Sequence, residues 1–252
     1  VRKMDYIVTV NGKKLIDTRF LRSVMYGEGV FETFRYRGRL PKHIDQHYRR
    51  LIKGAELLKI PKITKEDYIF YIEETVKKCK ESDDLYVKTV LLSEGNIYFP
   101  VVPYKSHLLV IVKPYKEPEK KEISLAVAPF RVHSSDPMLK IKSTNYSRNI
   151  IAKRYALEKG YDDALFLNEN GEVTETSSAN IFWIKGRFLY TPSVDCGLLP
   201  GVTRSVILKK AKDEGFAVVE GRFYLEDVRK ADYIFVANAL NGIIRVSKIE
   251  IL

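Results

Sequence analysis

Apolar and polar residues alternate from Tyr6 to Val10 and stop at Asn11-Gly12. This predicts a strand, a tight hairpin turn, and a second strand through Lys14-Leu15-Ile16. Val30 to Tyr36 reads as the next strand, with Arg37-Gly38 as its turn. The pattern then changes period. Ile44, Tyr48, Leu51, Ile52, Ala55 and Leu58 fall at helical spacing, which predicts a helix from His43 to Leu58 that Pro61 stops. Thr64, with Asp67 three residues on, predicts a capped start for another helix. Leu85 to Leu92 and His107 to Val112 are rich in β-branched and large apolar residues and read as strands.

Strands are expected again at Ile123 to Ala128, Asp163 to Leu167, Asn180 to Ile184, Asp232 to Ala237 and Ile243 to Val246. Between them lie two helices, one from Asn145 to Lys159 ended by Gly160, the other from the Pro200-Gly201 turn to about Glu214. The fold class is mixed α/β (α+β). At 252 residues there is enough chain for two domains. The expected division is an N-terminal α/β domain over 1–112, a linker over 113–122 (KPYKEPEKKE), and a C-terminal α/β domain over 123–252.

Composition narrows the class. Apolar residues make up 45% and charged residues 30%, values of a soluble globular protein, and no apolar run is long enough to cross a membrane. The first residues, Val1-Arg2-Lys3-Met4-Asp5, lack the apolar stretch of a secretory signal. Cys79 and Cys196 have neither metal-ligand spacing nor a disulfide framework, so the expected compartment is the cytoplasm and no metal is expected. The formal charge of +11 admits three readings: a nucleic-acid binder, a heat-adapted surface, or attraction of an anionic ligand. Lys and Arg are interspersed with Asp and Glu along the whole chain, so a solvated surface takes the largest share, and no nucleic-acid partner is expected.

The chemistry concentrates in a few positions. Lys142 ends an extended segment, Leu139-Lys140-Ile141-Lys142-Ser143-Thr144-Asn145-Tyr146, just before a helix. A lone lysine there is usually a surface residue. Glu175 is the last acid before the small polar loop Thr176-Ser177-Ser178. Thr203 follows Pro200-Gly201 at a helix start, where free N–H groups and the helix dipole favour a phosphate. A lysine to form an imine, a carboxylate for a pyridine nitrogen, and an arginine and helix start for a phosphate are what pyridoxal 5'-phosphate (PLP) needs.

Six blocks in this order resemble the class IV aminotransferases, the fold-type IV PLP enzymes. They are Tyr26-Gly27-Glu28-Gly29-Val30-Phe31-Glu32-Thr33, His47-Tyr48-Arg49-Arg50-Leu51, Lys142-Ser143-Thr144-Asn145-Tyr146, Gly160-Tyr161-Asp162-Asp163-Ala164-Leu165, Gly171-Glu172-Val173-Thr174-Glu175 with Asn180-Ile181-Phe182, and Leu199-Pro200-Gly201-Val202-Thr203-Arg204. The resemblance covers nearly the whole chain. It implies two α/β domains, a homodimer and a small-molecule substrate. It also implies that Lys142 forms the Schiff base, Glu175 meets the pyridine nitrogen, and Arg50, Val202 and Thr203 hold the phosphate. Tyr146 would sit near the cofactor's phenolic oxygen. Ala239 would lie beside the cofactor without offering the phosphate a hydroxyl.

Within the family the chain most resembles the aminodeoxychorismate lyases of folate biosynthesis. On that reading Thr33 aids proton transfer, Lys88 helps bind a substrate carboxylate, and Asn238 faces the substrate together with Tyr26 and Phe31. Each position also has a plainer explanation: strand propensity for Thr33, an outward lysine for Lys88, a strand-end turn for Asn238. Branched-chain or D-amino acid aminotransferase is the next reading. Asn145-Tyr146 resembles the branched-chain enzymes, and the loop from Ser93 to Tyr98 lacks the arginine some lyases use on the substrate.

Overall fold

The computed structural model describes residues 7–14, 17–79 and 82–251. The predicted N-terminal hairpin is present as β1 (Thr9–Val10) and β2 (Lys13–Lys14), turned by Asn11 and Gly12, both with positive φ. Tyr6, Leu15 and Ile16, which the pattern also placed in these strands, lie outside the described residues.

A three-stranded antiparallel sheet follows, in the order β3 (Gly29–Arg37), β4 (Asp84–Glu94), β5 (Lys105–Pro114). Helix α1 (Leu21–Tyr26), which the pattern did not predict, precedes it. Helices α2 (Ile44–Leu57) and α3 (Lys65–Val76) cover one face. The even residues Val30, Phe34 and Tyr36 of β3 pack with Leu51 and Ala55 of α2 and Tyr68 and Ile72 of α3. Thr64 caps α3 by accepting the Asp67 N–H, and its own hydroxyl donates to the Asp67 carboxylate. The odd residues Phe31 and Thr33 face the other way and line a cavity.

Residues 115–121 carry the chain to the second sheet. Its strands are β6 (Glu122–Val127), β7 (Asp163–Leu167), β8 (Val173–Thr176), β9 (Asn180–Lys185), β10 (Phe188–Pro192), β11 (Ala217–Gly221), β12 (Tyr233–Asn238) and β13 (Gly242–Ile249). They lie in the order β11-β10-β9-β12-β13-β6-β7-β8. A further pairing of β8 with β9, at Glu175 opposite Asn180, closes six of them into a ring. Leu125, Leu165, Val173, Ile181, Val236 and Val246, one from each ring strand, share one core. Their chain neighbours point outward. Ala126, Ala164 and Phe166 meet α4 (Ser147–Glu158), while Phe182, Phe235 and Ala237 meet α5 (Val202–Asp213). Burial on both faces explains why these strands read as continuous apolar runs rather than alternating ones. Short α6 (Leu225–Arg229) adds Leu225 and Val228 to the ring core. The pattern also missed β8, β10, β11 and α6.

Candidate active site

A cavity of about 460 Å³ lies between the three-stranded sheet and the ring, well within the size range of small-molecule and cofactor pockets. Its walls come from β3 and β4, the segment before α4, the β8–β9 turn, the start of α5, and the β12–β13 turn.

The lysine wall is fixed by backbone. The Phe31 N–H donates to the Lys142 carbonyl at 2.8 Å and the Thr144 N–H to the Gly29 carbonyl at 2.9 Å, so residues 142–144 lie along β3 as one more short rung. The Gly27 carbonyl accepts from the Thr144 hydroxyl (2.7 Å) and the Asn145 amide (3.0 Å). Gly27 has φ +60°, and a Cβ there would come within 2.2 Å of Asn145 Oδ1. The blocks around Gly27 and Asn145 are therefore one contact, and its product is the placement of Lys142. The Lys142 Nζ lies 4.5 Å from the centre of the Phe31 ring and 5.6 Å from that of Tyr146. Burial, with the Arg50 cation nearby, pulls its ammonium down to about 8.

Glu175 stands where the ring of strands closes. Its side chain reaches the cavity but is otherwise enclosed by protein, and burial pushes its carboxyl up to about 8. The Asn180 amide donates to it at 3.2 Å and also to the Leu199 carbonyl at 2.9 Å. A Cβ on Gly201 would lie 2.1 Å from Asn180 Oδ1, so glycine at the helix start is what lets this amide reach the carboxylate.

Arg50 and the start of α5 form another part of the cavity wall. Arg50 donates from Nε and Nη2 to Glu32, both at 2.7 Å, and from Nη1 to the Pro200 carbonyl at 3.3 Å. Gly201 is the N-cap of α5 and uses no side chain there, so the first N–H groups at Val202 and Thr203 are left for a ligand. Tyr146 lies against Phe31 edge to face, and its hydroxyl donates to the Ser177 carbonyl at 3.4 Å. Burial pushes that hydroxyl up to about 12, so it acts as a donor.

Thr33 and Lys88 are direct cross-strand partners, and both line the cavity with Tyr86. The Lys88 Nζ lies 4.3 Å from the Phe31 ring centre, and burial lowers its ammonium. Asn238, Ala239 and Leu240 form the opposite lip. The Asn238 side chain also braces the turn: Oδ1 accepts from the Leu240 and Asn241 N–H groups, and Nδ2 donates to the Ser178 carbonyl at 3.3 Å. Tyr26 stands apart from the cavity lining, and its hydroxyl donates to the Ile97 carbonyl. Of the twelve sequence-derived site residues, Tyr26 alone is not brought to this cavity.

Several residues of the site were not singled out by the sequence reading: Glu32 behind Arg50, Asn180 beside Glu175, and the cavity-lining Tyr86 and Arg148. The Nε of Arg148 is buried and finds no hydrogen-bond partner among the described residues. Helical spacing puts His47 and Arg50 on one face of α2, but only the fold sets Glu32 opposite them. No group of acidic, His or Cys side chains suited to a metal ion occurs among the described residues.

A buried amine of lowered basicity, a carboxyl held above its usual range, and an arginine beside an open helix start fit PLP at its aldehyde, its ring nitrogen and its phosphate. The sequence profile described as amino-transferase class IV matches residues 29–249. The aminodeoxychorismate lyase of Bacillus subtilis strain 168 is 33% identical over 256 residues, covering 97% of this chain and 87% of its own. A Legionella pneumophila crystal structure, provisionally assigned as a 4-amino-4-deoxychorismate lyase, superposes with a TM-score of 0.86 at 31% identity, covering 91% of this chain and 85% of the other. The branched-chain aminotransferase of Thermoproteus uzoniensis, solved with norvaline, superposes at 0.84 with 28% identity, covering 90% and 80%. With its fold, its site and its sequence in agreement, the chain belongs to the class IV aminotransferases, a family of PLP-dependent enzymes.

Proposed function

We propose that this chain is an aminodeoxychorismate lyase, releasing 4-aminobenzoate and pyruvate from 4-amino-4-deoxychorismate. The observation that carries the reading is the cross-strand pair Thr33 and Lys88 facing the cavity that holds Lys142. The amines of Lys88 and Lys142 rest against one Phe31 ring, at 4.3 and 4.5 Å from its centre. A substrate whose amine-bearing carbon is at Lys142 thus has a cation and a hydroxyl close by.

PLP, when bound, supplies an aldehyde for amines and a ring that draws electrons from the adjacent carbon. Glu175 would hold the ring nitrogen's proton, and the hydrogen bond from Asn180 supports that role by aiming the carboxylate. Arg50, Val202 and Thr203 would anchor the phosphate. Lys142, with its ammonium near 8, has a neutral fraction at working pH and removes the proton from the amine-bearing carbon. Lys88 binds a substrate carboxylate, and Thr33 guides a proton to the departing enolpyruvyl group. Ala239, Leu240 and Asn238 close the far side.

The runner-up is an aminotransferase, in which Lys142 would hand on the proton it removes and no enolpyruvyl group would leave; Tyr146 beside Lys142 favours it. The proposal includes a homodimer, supported by apolar side chains left in the open. Leu109 and Ile111, on the same sheet face as Lys88, are 44% and 42% exposed, and Tyr98 and Phe99 more so. Free thiols at Cys79 and Cys196 suit the cytoplasm. Incubation with aminodeoxychorismate, and separately with leucine or D-alanine plus 2-oxoglutarate, separates the reactions. The reading expects 4-aminobenzoate from the first; amino-acid turnover without 4-aminobenzoate overturns it.

A further inference from the structure

Glu32 is an acid with no exposure to solvent, on the strand face that packs against α2. A carboxylate this close to an anion-binding arginine repels the anion, so its presence needs a reason. Burial disfavours its charge, yet Arg50 and His47 together hold its carboxyl down at about 2. It is therefore an acceptor only, and the proton in its 2.7 Å contact with His47 Nδ1 belongs to the imidazole. His47, also buried, packs its ring against Phe34.

The arginine side shows what the contact accomplishes. A guanidinium has five N–H donors. Glu32 takes one from Nε and one from Nη2, and the Pro200 carbonyl takes one from Nη1. One donor on each terminal nitrogen remains, and Arg50 lines the cavity beside the start of α5. A free arginine side chain samples many rotamers, and a two-point clamp on an immobile strand removes that freedom before the ligand arrives. We infer that Glu32, seated by His47, is a positioning residue that clamps Arg50 and leaves it two donors for the cofactor phosphate, so that binding depends on the phosphate group. The inference rests on the PLP reading of the cavity.

The test compares PLP with pyridoxal, which lacks the phosphate, by spectral titration of the apoprotein. For E32Q the expected result is PLP affinity lower by about 10- to 100-fold, as for other supporting contacts behind a ligand-binding group, with pyridoxal affinity essentially unchanged. Inorganic phosphate should raise the Tm of wild-type apoprotein and raise that of E32Q less. Unchanged or tighter PLP binding overturns the role, because it makes Glu32 a mere electrostatic drag. Equal losses for PLP and pyridoxal also overturn it, because they report general damage. Should E32Q fail to fold, H47F decides: a smaller loss confined to PLP supports the clamp, and no loss refutes it. An unmodified chain that took up neither form would overturn the cofactor reading and this role with it. Equal PLP uptake by wild type and E32Q would overturn the role alone.

Discussion

Gly201→Ala separates two physical arguments that disagree in sign. Gly201 sits at φ −65° and ψ 139°, a conformation alanine adopts freely. Backbone reasoning alone therefore predicts a gain of roughly 0.4–1 kcal/mol from a stiffer unfolded chain. The surroundings say otherwise. The new Cβ would lie 2.1 Å from Asn180 Oδ1 and 3.2 Å from the Arg204 Cβ. Asn180 cannot retreat without giving up its bonds to Glu175 at 3.2 Å and to the Leu199 carbonyl at 2.9 Å. Losing two such bonds costs about 1–3 kcal/mol, and overpacking adds about 1–3 kcal/mol. After the backbone gain the net loss is about 1–6 kcal/mol, which lowers Tm by roughly 2–20 °C for a chain of this size. Thermal melts of the apoprotein measure it. Asn180→Ala removes the clashing group, so Gly201→Ala in that background should cost less than about 1 kcal/mol. A Gly201→Ala protein as stable as wild type, or a double mutant with additive losses, would refute the steric argument.

Apoprotein stability should depend on pH through both central groups. The Glu175 carboxyl is raised to about 8, so the folded state binds the extra proton and stability falls as pH rises from about 4.5 to 8. The Lys142 ammonium is lowered to about 8, so the unfolded state binds the extra proton and stability rises between about 8 and 10.5. Denaturation midpoints at pH 5, 8 and 10 should therefore show Glu175→Gln flattening the first limb and Lys142→Met the second; variants that track wild type would contradict this. Lys88→Met should raise KM for aminodeoxychorismate by about 10- to 100-fold, the scale of one charge-assisted bond, and leave PLP binding intact. Thr33→Ala should lower kcat by about 10²-fold or more, read as 4-aminobenzoate release, with the cofactor spectrum unchanged.

Much of the fold was legible because the chain's periods are clean. The helical spacing from Ile44 to Leu58 and the apolar run Ala164-Leu165-Phe166-Leu167 each admit one element, and each is there. The omissions have physical reasons. Helices α1 and α6 are 6 and 5 residues long, too short to show a period. Strands β10 and β11 extend the sheet beyond the ring, and their polar positions blur the apolar run. In the site, Lys142, Glu175 and the Gly201 turn were readable as chemistry. Glu32 was not, since an acid in a strand usually faces water; here α2 covers that face and supplies its partners, His47 and Arg50. Asn238 shows the opposite limit. Its side chain braces a turn and the residue also lines the cavity, so the turn explanation does not exclude a place in the site.

The central claim is that Lys142 carries the cofactor. Reduction of the PLP-loaded protein with borohydride, followed by peptide mass spectrometry, tests it directly. The account predicts a pyridoxyl adduct on Lys142, lost in Lys142→Ala along with the absorption band on the order of 410 nm. An adduct on Lys88 or Lys140 in the wild-type protein, or a band that survives in Lys142→Ala, would contradict it.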